Sequence, residues 1–263
     1  MRRSHRLPLR VAVLCSHRAP GVERLLAAGP ARGFEVVVGV SSEPGSAARE
    51  TFVEAGIPFV THDVRAFHRD REAPLSDQEA RAAYDARTLE ILEPHRPDVV
   101  VLLAYLYVAT PTLLDAFPDR VLNVHDADLR IHARDGRPRY RGLRSTYDAI
   151  VGGETETRST VHLATEEVDG GPPIAISPAF PVHSMIIDAR RWGADDVLKA
   201  YAYAQREWMM RAAWGPLVER ALARIARGEV RLLGGHPVVA GSLGPEELVK
   251  GAERLASAIG DPR

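Results

Sequence analysis

The sequence predicts an α/β protein with a mainly parallel, Rossmann-like sheet. Short β-branched runs alternate with helical patterns through the first half of the chain, which is typical of parallel strands joined by crossover helices. A run of five apolar residues at 99–103 is the best candidate for a buried strand. A chain of 263 residues that is 45% hydrophobic is also large enough to bury a substantial core.

The strands and helices of the first half alternate in the order that crossover connections require. Strands are predicted at 11–14, 34–40, 57–60, 99–103 and 121–123. Helices are predicted at 22–28, 47–55 and 75–92, and they are expected to end near Gly29-Pro30, Gly56 and Pro94. Because such crossovers place the carboxyl ends of the strands on one side of the sheet, we expect ligands and chemistry at that edge.

The second half of the chain changes character. Strands are predicted at 159–164 and 173–180, and a helix is predicted at 194–227. The apolar residues of that helix return at helical spacing, so we expect a packing helix that carries no chemistry. A short amphipathic helix is predicted at 244–260, either as a packed terminus or as a subunit contact that would make the protein a homodimer.

Composition argues against several classes of protein. A net charge of −1 disfavours a nucleic-acid or membrane-surface partner. No apolar run approaches membrane-spanning length and the basic start, broken by Pro8, lacks a signal-peptide core, so the cytoplasm is the expected location. Cys15, the single cysteine, is expected to pack rather than react, and the histidines lack zinc-site spacing, so no metal is expected. Only Gly21 follows the first strand closely, which disfavours a dinucleotide fingerprint.

Two short motifs carry the predicted chemistry. Asn123-Val124-His125 follows an apolar run, and Asp169 lies within the segment 167–172. The amide and imidazole share one face of an extended segment and can donate hydrogen bonds to an oxygen that gains charge. Asp169 could orient His125 and relay a proton. Taken alone, Asn-x-His can be a cap or a turn, and Asp169 can be a turn residue before Gly170.

A longer series of motifs occurs in one order along the chain. It runs through Pro97-Asp98-Val99-Val100-Val101, Phe117-Pro118, Leu122-Asn123-Val124-His125, Arg141-Gly142, Ser159-Thr160-Val161-His162 and Glu167-Val168-Asp169-Gly170-Gly171-Pro172. This order resembles the formyltransferase family that uses 10-formyltetrahydrofolate, typified by phosphoribosylglycinamide formyltransferase. The resemblance implies a Rossmann-like, three-layer formyltransferase fold. It also implies an N-terminal tail at 1–8, a catalytic domain at 9–230 and a C-terminal extension at 231–263.

The resemblance further implies an enzyme that moves a formyl group from 10-formyltetrahydrofolate, without a metal, to a primary amine of a small acceptor that could be anionic. The amine attacks directly, Asn123 and His125 stabilise the oxyanion, and Asp169 assists proton transfer. The implied folate contacts, largely through the main chain, are Leu102, Leu103, Ala104, Tyr105, Val108, Thr165, Glu166, Glu167 and Val168. The implied acceptor contacts are Ser16, His17, Arg18, Arg141 and Gly142.

The sequence departs from the family at two places that concern the acceptor. The segment 19–21 stands where the purine enzyme has a Gly-Ser-Asn-like phosphate-binding loop, and its Pro20 has no N–H to donate. The segment 126–130 replaces the usual Pro-Ser-Leu-Leu-Pro and leads into an arginine-rich loop that extends to Gly142 and contains Asp135 as its only acid. That loop could clamp an anionic acceptor or be a solvated surface loop.

Two other functions remain open from the sequence. A formyltetrahydrofolate hydrolase would use the same three residues with water in place of the amine. A non-catalytic folate-binding protein could keep the scaffold, although the intact Asn123, His125 and Asp169 argue against it.

Overall fold

The structure, a computed structural model, describes residues 7–231 and 238–239. Its strands are β1 Leu9–Cys15, β2 Phe34–Ser41, β3 Phe59–Thr61, β4 Val99–Leu102, β5 Val121–His125, β6 Glu156–Thr157, β7 Thr160–Leu163, β8 Pro173–Ile176, β9 Phe180–Pro181, β10 Val230–Arg231 and β11 Val238–Val239. A central sheet contains seven of them, and β6 with β9 and β10 with β11 form separate two-stranded ribbons.

The central sheet has the order β3-β2-β1-β4-β5-β7-β8. The strands from β3 to β5 in this order pair in parallel, whereas β7 and β8 are antiparallel to their neighbours. The predicted mainly parallel sheet is therefore confirmed. Because β1, β4 and β5 are parallel neighbours, the segments that follow Cys15, Leu102 and His125 meet at one edge.

Helices flank this sheet and connect its strands. They are α1 Val22–Arg32, α2 Ala48–Glu54, α3 Val64–Arg69, α4 Gln78–Leu92, α5 Pro111–Ala116, α6 Ser145–Gly152, α7 Met185–Arg191, α8 Asp195–Met209 and α9 Gly215–Ala226. A π-helical segment, Met210–Trp214, joins α8 to α9, and a 3₁₀ turn, Glu93–His95, follows α4. Within the described residues, none of these helices has the length and apolar character needed to span a bilayer.

Helices cover both faces of the sheet and give three layers. Along β1, Val11 and Val13 point into the core formed with α1 and α9. Ala12 and Leu14 point into the opposite core, formed with α4 and α5. This alternation is that of a strand buried on both faces, as expected in a parallel sheet with helices on each side.

Two of the predicted helix boundaries, the end of the first helix and the start of the helix at 75–92, differ from those in the structure. The predicted end of the first helix near Gly29-Pro30 is wrong, because α1 continues to Arg32 and Gly33 (φ 87°) closes it by donating its N–H to the Gly29 carbonyl. Pro30 is tolerated because it stands in the last turn, where its fixed φ is helical and a single N–H bond is lost. The predicted helix at 75–92 begins only at Gln78.

The second half is more divided than its periodicity predicts. The predicted helix at 194–227 consists of α8 and α9 with the π-helical segment between them. The predicted strand at 173–180 ends at Ile176, because Pro178 cannot continue a ladder, and Phe180 pairs with Thr157 instead.

Four short helices, α3, α5, α6 and α7, have no sequence prediction. They contain only six to eight residues each, which is too short for a periodic pattern. The predicted helix at 244–260 and the subunit contact suggested for it lie outside the described residues, as does most of the predicted C-terminal extension.

Candidate active site

A cavity of about 320 Å³ opens at the carboxyl ends of β4 and β5. Asn123 and His125 of β5 line it, and Val124 between them packs into the core and also borders the cavity. The antiparallel pairing of β5 with β7 places His162 directly opposite Asn123, and Asp169 enters from the loop after β7. The structure thus brings together the three predicted catalytic residues and adds His162, which the sequence pattern contains but does not single out.

Asp169 is the centre of contacts in this cluster. Its Oδ1 accepts a hydrogen bond from Asn123 Nδ2 (3.2 Å) and lies 3.5 Å from His162 Nε2. Its Oδ2 accepts from the N–H of Gly142 (2.8 Å) and lies 3.3 Å from His125 Nδ1. Burial alone raises the pKa of Asp169, but the contacts with His162, His125 and Gly142 outweigh burial and lower the pKa to about 2. The carboxylate is therefore ionised at neutral pH.

Hydrogen bonding fixes the direction of the Asn123 amide. His162 Nδ1 donates to the Leu163 carbonyl (2.8 Å), and its Nε2 lies 3.1 Å from Asn123 Nδ2. The amide nitrogen of Asn123 also donates to the ionised carboxylate of Asp169, which can only accept hydrogen bonds. The amide oxygen of Asn123 is consequently turned away from both partners and can accept a hydrogen bond from another group.

Both ring nitrogens of His125 face oxygen acceptors. Nε2 lies 3.0 Å from the Tyr140 carbonyl and Nδ1 lies 3.3 Å from Asp169. A carbonyl only accepts, so Nε2 carries a proton, and a second proton on the ring would lie between Nδ1 and Asp169. Burial lowers the pKa of His125, and the nearby Asp169 opposes that effect. The His125–Asp169 pair can therefore hold a proton and release it.

Most of the predicted folate contacts line the cavity. These are Leu102, Ala104, Tyr105, Val108, Thr165, Glu167 and Val168. Leu103 does not, because side chains alternate along a strand: its side chain is buried in the core, and its N–H donates to the Leu14 carbonyl (2.8 Å). Glu166 lines a neighbouring cavity instead.

Two residues in the wall of the cavity have a left-handed backbone although they are not glycine. Ala104 has φ 56° and Asp169 has φ 52°. Such a conformation costs an alanine about 1 kcal/mol. Strain of this kind is concentrated at binding and catalytic sites.

The neighbouring cavity, of about 360 Å³, contains a buried arginine that was not predicted. Arg81 of α4 donates from Nη2 to the Val108 carbonyl (2.7 Å), and its Nη1 has no hydrogen-bond partner within the described residues. Asp85, one turn later, accepts from Thr110 through Oδ2. Polar residues at 81, 84, 85 and 88 recur at helical spacing on the buried face of α4, and that pattern could have revealed Arg81.

The predicted acceptor contacts are mostly engaged with the protein. Ser16 is fully buried, and its hydroxyl bonds with Ser42 Oγ (2.7 Å) and accepts from the N–H of Leu106 (3.0 Å). His17 is exposed outside the cavity. Of the predicted acceptor residues, only Gly142 lines the cavity.

The two predicted arginines of the acceptor site form ion pairs instead. Arg18 binds Glu207 of α8, with Nη1 to Oε2 at 2.9 Å. Arg141 binds Glu167 at 2.8 Å and is absent from the cavity lining.

The loop after β1 is also pressed against α9. Gly21 has φ 80°, and a Cβ atom built on it would lie 2.4 Å from the Cα of Gly215. Together with the pairing of Arg18 and Glu207, this contact holds the segment 18–21 in place.

The arginine-rich loop is largely neutralised by carboxylates that lie outside it. Its ion pairs are Arg130 with Asp128 (2.7 Å), Arg137 and Arg141 with Glu167 (3.2 and 2.8 Å), Arg139 with Glu154 (3.9 Å) and Arg144 with Asp148 (3.4 Å). Asp135 is thus not the only counter-charge near these arginines.

Asp126, directly after His125, is a further buried carboxylate that the sequence pattern did not mark. Its Oδ1 accepts from Trp214 Nε1 (2.7 Å) and from Ser159 Oγ (3.2 Å), and its Oδ2 binds Arg206 Nε (2.9 Å). Burial raises the pKa of Asp126, and the Arg206 guanidinium opposes that rise. Asp126 therefore holds Arg206 in the wall of the cavity.

Two kinds of reactive group were sought among the described residues: a cluster of metal ligands and a reactive thiol. Within the described residues, no three His, Cys, Asp or Glu side chains lie close enough together to hold a metal ion. Cys15 is buried at the end of β1, and burial raises the pKa of its thiol to about 11. A thiol in that environment is inert.

The sequence matches the Formyl transferase family over residues 9–186. It is 33% identical to the phosphoribosylglycinamide formyltransferase of Mycobacterium tuberculosis H37Rv over 175 residues, which cover 65% of this chain and 71% of that enzyme. The corresponding Escherichia coli K12 enzyme is 33% identical over 96 residues, but the aligned part spans only 42% of that enzyme and 36% of this chain.

Two further comparisons concern the fold and a related activity. The crystal structure of glycinamide ribonucleotide transformylase 1 from Symbiobacterium toebii superposes with a TM-score of 0.65 at 24% identity, covering 89% of this chain and 95% of that one. A formyltetrahydrofolate deformylase from Escherichia coli O6:H1 is 25% identical over 141 residues, which cover 54% of this chain and 45% of that enzyme.

Proposed function

The chain belongs to the formyl transferase family, and on that basis we propose that it transfers a formyl group from 10-formyltetrahydrofolate to a primary amine of a small acceptor. The observation that carries the proposal is the cluster of Asn123, His125 and Asp169. Asp169 stands 46 positions after Asn123 in the sequence and contacts both other residues in a cavity at the carboxyl edge of the sheet. The match over 9–186 falls within the catalytic domain that we propose at 9–230.

The two neighbouring cavities suit the two ends of a folate. The first is lined mainly by apolar residues, among them Leu102, Ala104 and Val168, and fits a flat pterin. The second shares Leu106 to Ala109 with it and contains Arg81 and Gln78, which suit the carboxylates of the folate tail. A folate bound in this way would present its N10-formyl group in the cavity that Asn123 lines.

The proposed reaction needs no covalent enzyme intermediate. The amine nitrogen attacks the formyl carbon and loses a proton, charge develops on the formyl oxygen, and N10 takes up a proton as its bond to carbon breaks. The amide oxygen of Asn123 can accept from the attacking amine, and His125 with Asp169 can take up its proton. In this structure Asn123 Nδ2 faces His162 and His125 Nε2 faces the Tyr140 carbonyl, so a formyl oxygen that accepts from either group would displace one of these contacts.

A second candidate function is hydrolysis of the formyl group. The similarity to a formyltetrahydrofolate deformylase favours it. Water would then take the place of the amine, while the roles of Asn123, His125 and Asp169 would stay the same. The two functions differ only in whether turnover requires an acceptor amine.

The test is absorbance-monitored loss of the formyl group from a 10-formyltetrahydrofolate analogue, with and without a mixture of small amines. We expect amine-dependent turnover that falls by 10²-fold or more in Asn123→Ala and His125→Ala, on the order of the effect of removing one oxyanion donor. His95→Ala, at the opposite end of the sheet, is the matched control and should retain activity. Turnover without amine would establish the hydrolase, and analogue binding without turnover would leave only a folate-binding protein.

A further inference from the structure

Glu43 is a buried carboxylate to which the proposed reaction assigns no role. It follows β2 and is only 5% exposed. Its Oε1 accepts a hydrogen bond from the Tyr107 hydroxyl (2.7 Å), and the largely exposed Arg65 lies 3.6 Å from the same oxygen. Burial and the hydrogen bond to Glu43 raise the pKa of Tyr107 to about 12, so the hydroxyl keeps its proton and remains the donor. A buried carboxylate is costly without such a partner, and the partner here belongs to the wall of the candidate site.

Tyr107 lies in a segment, 104–110, that forms a shared wall between the two cavities that we assign to folate. The segment follows β4 and contains neither helix nor strand. Tyr107 lines both cavities, as do the residues on either side of it. Irregular backbone lacks the repeated hydrogen bonds of a helix or a strand, so the shape of this wall depends on other contacts.

Four side chains from other elements hold the segment in place. They come from the ends of β1 and β2 and from the buried face of α4. The four contacts are Ser16 Oγ with the Leu106 N–H (3.0 Å), Glu43 Oε1 with the Tyr107 hydroxyl (2.7 Å), Arg81 Nη2 with the Val108 carbonyl (2.7 Å) and Asp85 Oδ2 with the Thr110 N–H (2.7 Å). Three of these contacts bind backbone groups, whereas the one from Glu43 binds a side chain that lines both cavities. The contact with Glu43 therefore sets where that side chain stands.

The ring of Tyr107 also supports the arginine of the second folate cavity. The guanidinium carbon of Arg81 lies 5.1 Å from the centre of this ring. A guanidinium is attracted to the face of a tyrosine ring at such a distance. Arg81 Nη1, which has no hydrogen-bond partner within the described residues, is the group that we assign to a folate carboxylate. A shift of Tyr107 would therefore change both cavities at once.

We propose that Glu43 is a positioning residue for folate binding, because its hydrogen bond holds Tyr107 in the shared wall, where the ring shapes both cavities and supports Arg81. Glu43 is not among the residues that line either cavity, so it acts through Tyr107. The inference rests on the proposed function, since that function places a folate in the two cavities. Contacts that bind the ground state and the transition state alike affect KM and not kcat. We therefore expect loss of this hydrogen bond to raise KM for the folate and to leave kcat unchanged.

Calorimetric titration with tetrahydrofolate tests the proposal. Tetrahydrofolate is the folate product of the proposed reaction and carries no formyl group, so it reports binding without turnover. Tyr107→Phe removes the hydroxyl and keeps the ring, and we expect it to raise the dissociation constant at least about 5-fold, because a hydrogen bond to a charged group is lost. Glu43→Ala should have a similar effect, whereas Glu43→Gln, which still offers an acceptor to Tyr107, should stay within about 2-fold of the native protein. Tyr203→Phe, an exposed tyrosine of α8 outside both folate cavities, is the matched control and should change the constant less than about 2-fold.

A double-mutant cycle shows whether the two residues act through one contact. Both changes remove the same hydrogen bond, so Glu43→Ala/Tyr107→Phe should bind tetrahydrofolate no more weakly than the weaker of the two single variants. Effects that multiply in the double variant would overturn the proposal. Single variants that bind tetrahydrofolate as tightly as the native protein would do the same.

Two further measurements separate a positioning role from a purely structural one. In formyl-release assays with the amine mixture, Tyr107→Phe should raise KM for the formyl donor and keep kcat within about 2-fold of the native value, and a fall in kcat at unchanged KM would overturn the proposal. Urea unfolding that shows lower stability in Tyr107→Phe, together with unaltered tetrahydrofolate binding, would assign the hydrogen bond to folding alone. A native protein that binds no tetrahydrofolate would refute the proposed function and this inference with it, whereas equal binding by native protein and variants refutes the inference only.

Discussion

Replacing Asp169 by asparagine removes the charge at the centre of the site and leaves its size unchanged. In the folded protein the pKa of Asp169 falls from an ordinary value of 3.8 to about 2. That difference corresponds to about 2 kcal/mol of stability at pH 7. Because the folded pKa is the lower one, this stabilisation is complete above about pH 4 and is lost as the pH falls toward 2. We therefore expect Asp169→Asn to lower the free energy of unfolding by about 2 kcal/mol at pH 7.

Urea unfolding measured at several pH values provides the assay. About half of the difference between native protein and variant should remain at pH 3. Asp115→Asn, an exposed carboxylate on α5, is the control and should stay within about 0.5 kcal/mol of the native protein. If Asp169→Asn loses no more stability than the control, or if its loss of stability does not shrink below pH 4, Asp169 is not an ionised carboxylate stabilised by its hydrogen bonds.

Three other predictions concern the backbone and the single thiol. Gly21 and Gly136 both have φ 80°, but only at Gly21 would an added Cβ lie against Gly215, at 2.4 Å. Urea unfolding should show that Gly136→Ala lowers the free energy of unfolding by about 1 kcal/mol and Gly21→Ala by about 2–4 kcal/mol. Equal losses of stability would argue against the contact between Gly21 and Gly215. Ala104→Gly should stabilise the protein by up to about 1 kcal/mol by relieving its left-handed φ, an effect measurable as a higher urea midpoint. Cys15 should resist iodoacetamide at pH 8 until the protein is unfolded, and rapid labelling of the native protein would contradict its burial.

The parts of the fold that could be predicted are those that depend on local sequence patterns. The alternation of apolar runs and helical segments predicted the parallel sheet, and the position of Asn123 after an apolar run placed it at the carboxyl edge. Periodicity failed where elements are short, and where a proline such as Pro30 stands close enough to a helix end to be tolerated.

The contacts that complete the site depend on pairing between distant segments. The register of β5 against β7 brings His162 opposite Asn123, and no local pattern encodes that register. Asp126 meets Trp214, which lies 88 positions further along the chain. A buried carboxylate needs such partners, but the sequence alone does not name them. The same holds for the arginine-rich loop, whose counter-charges lie mostly outside it.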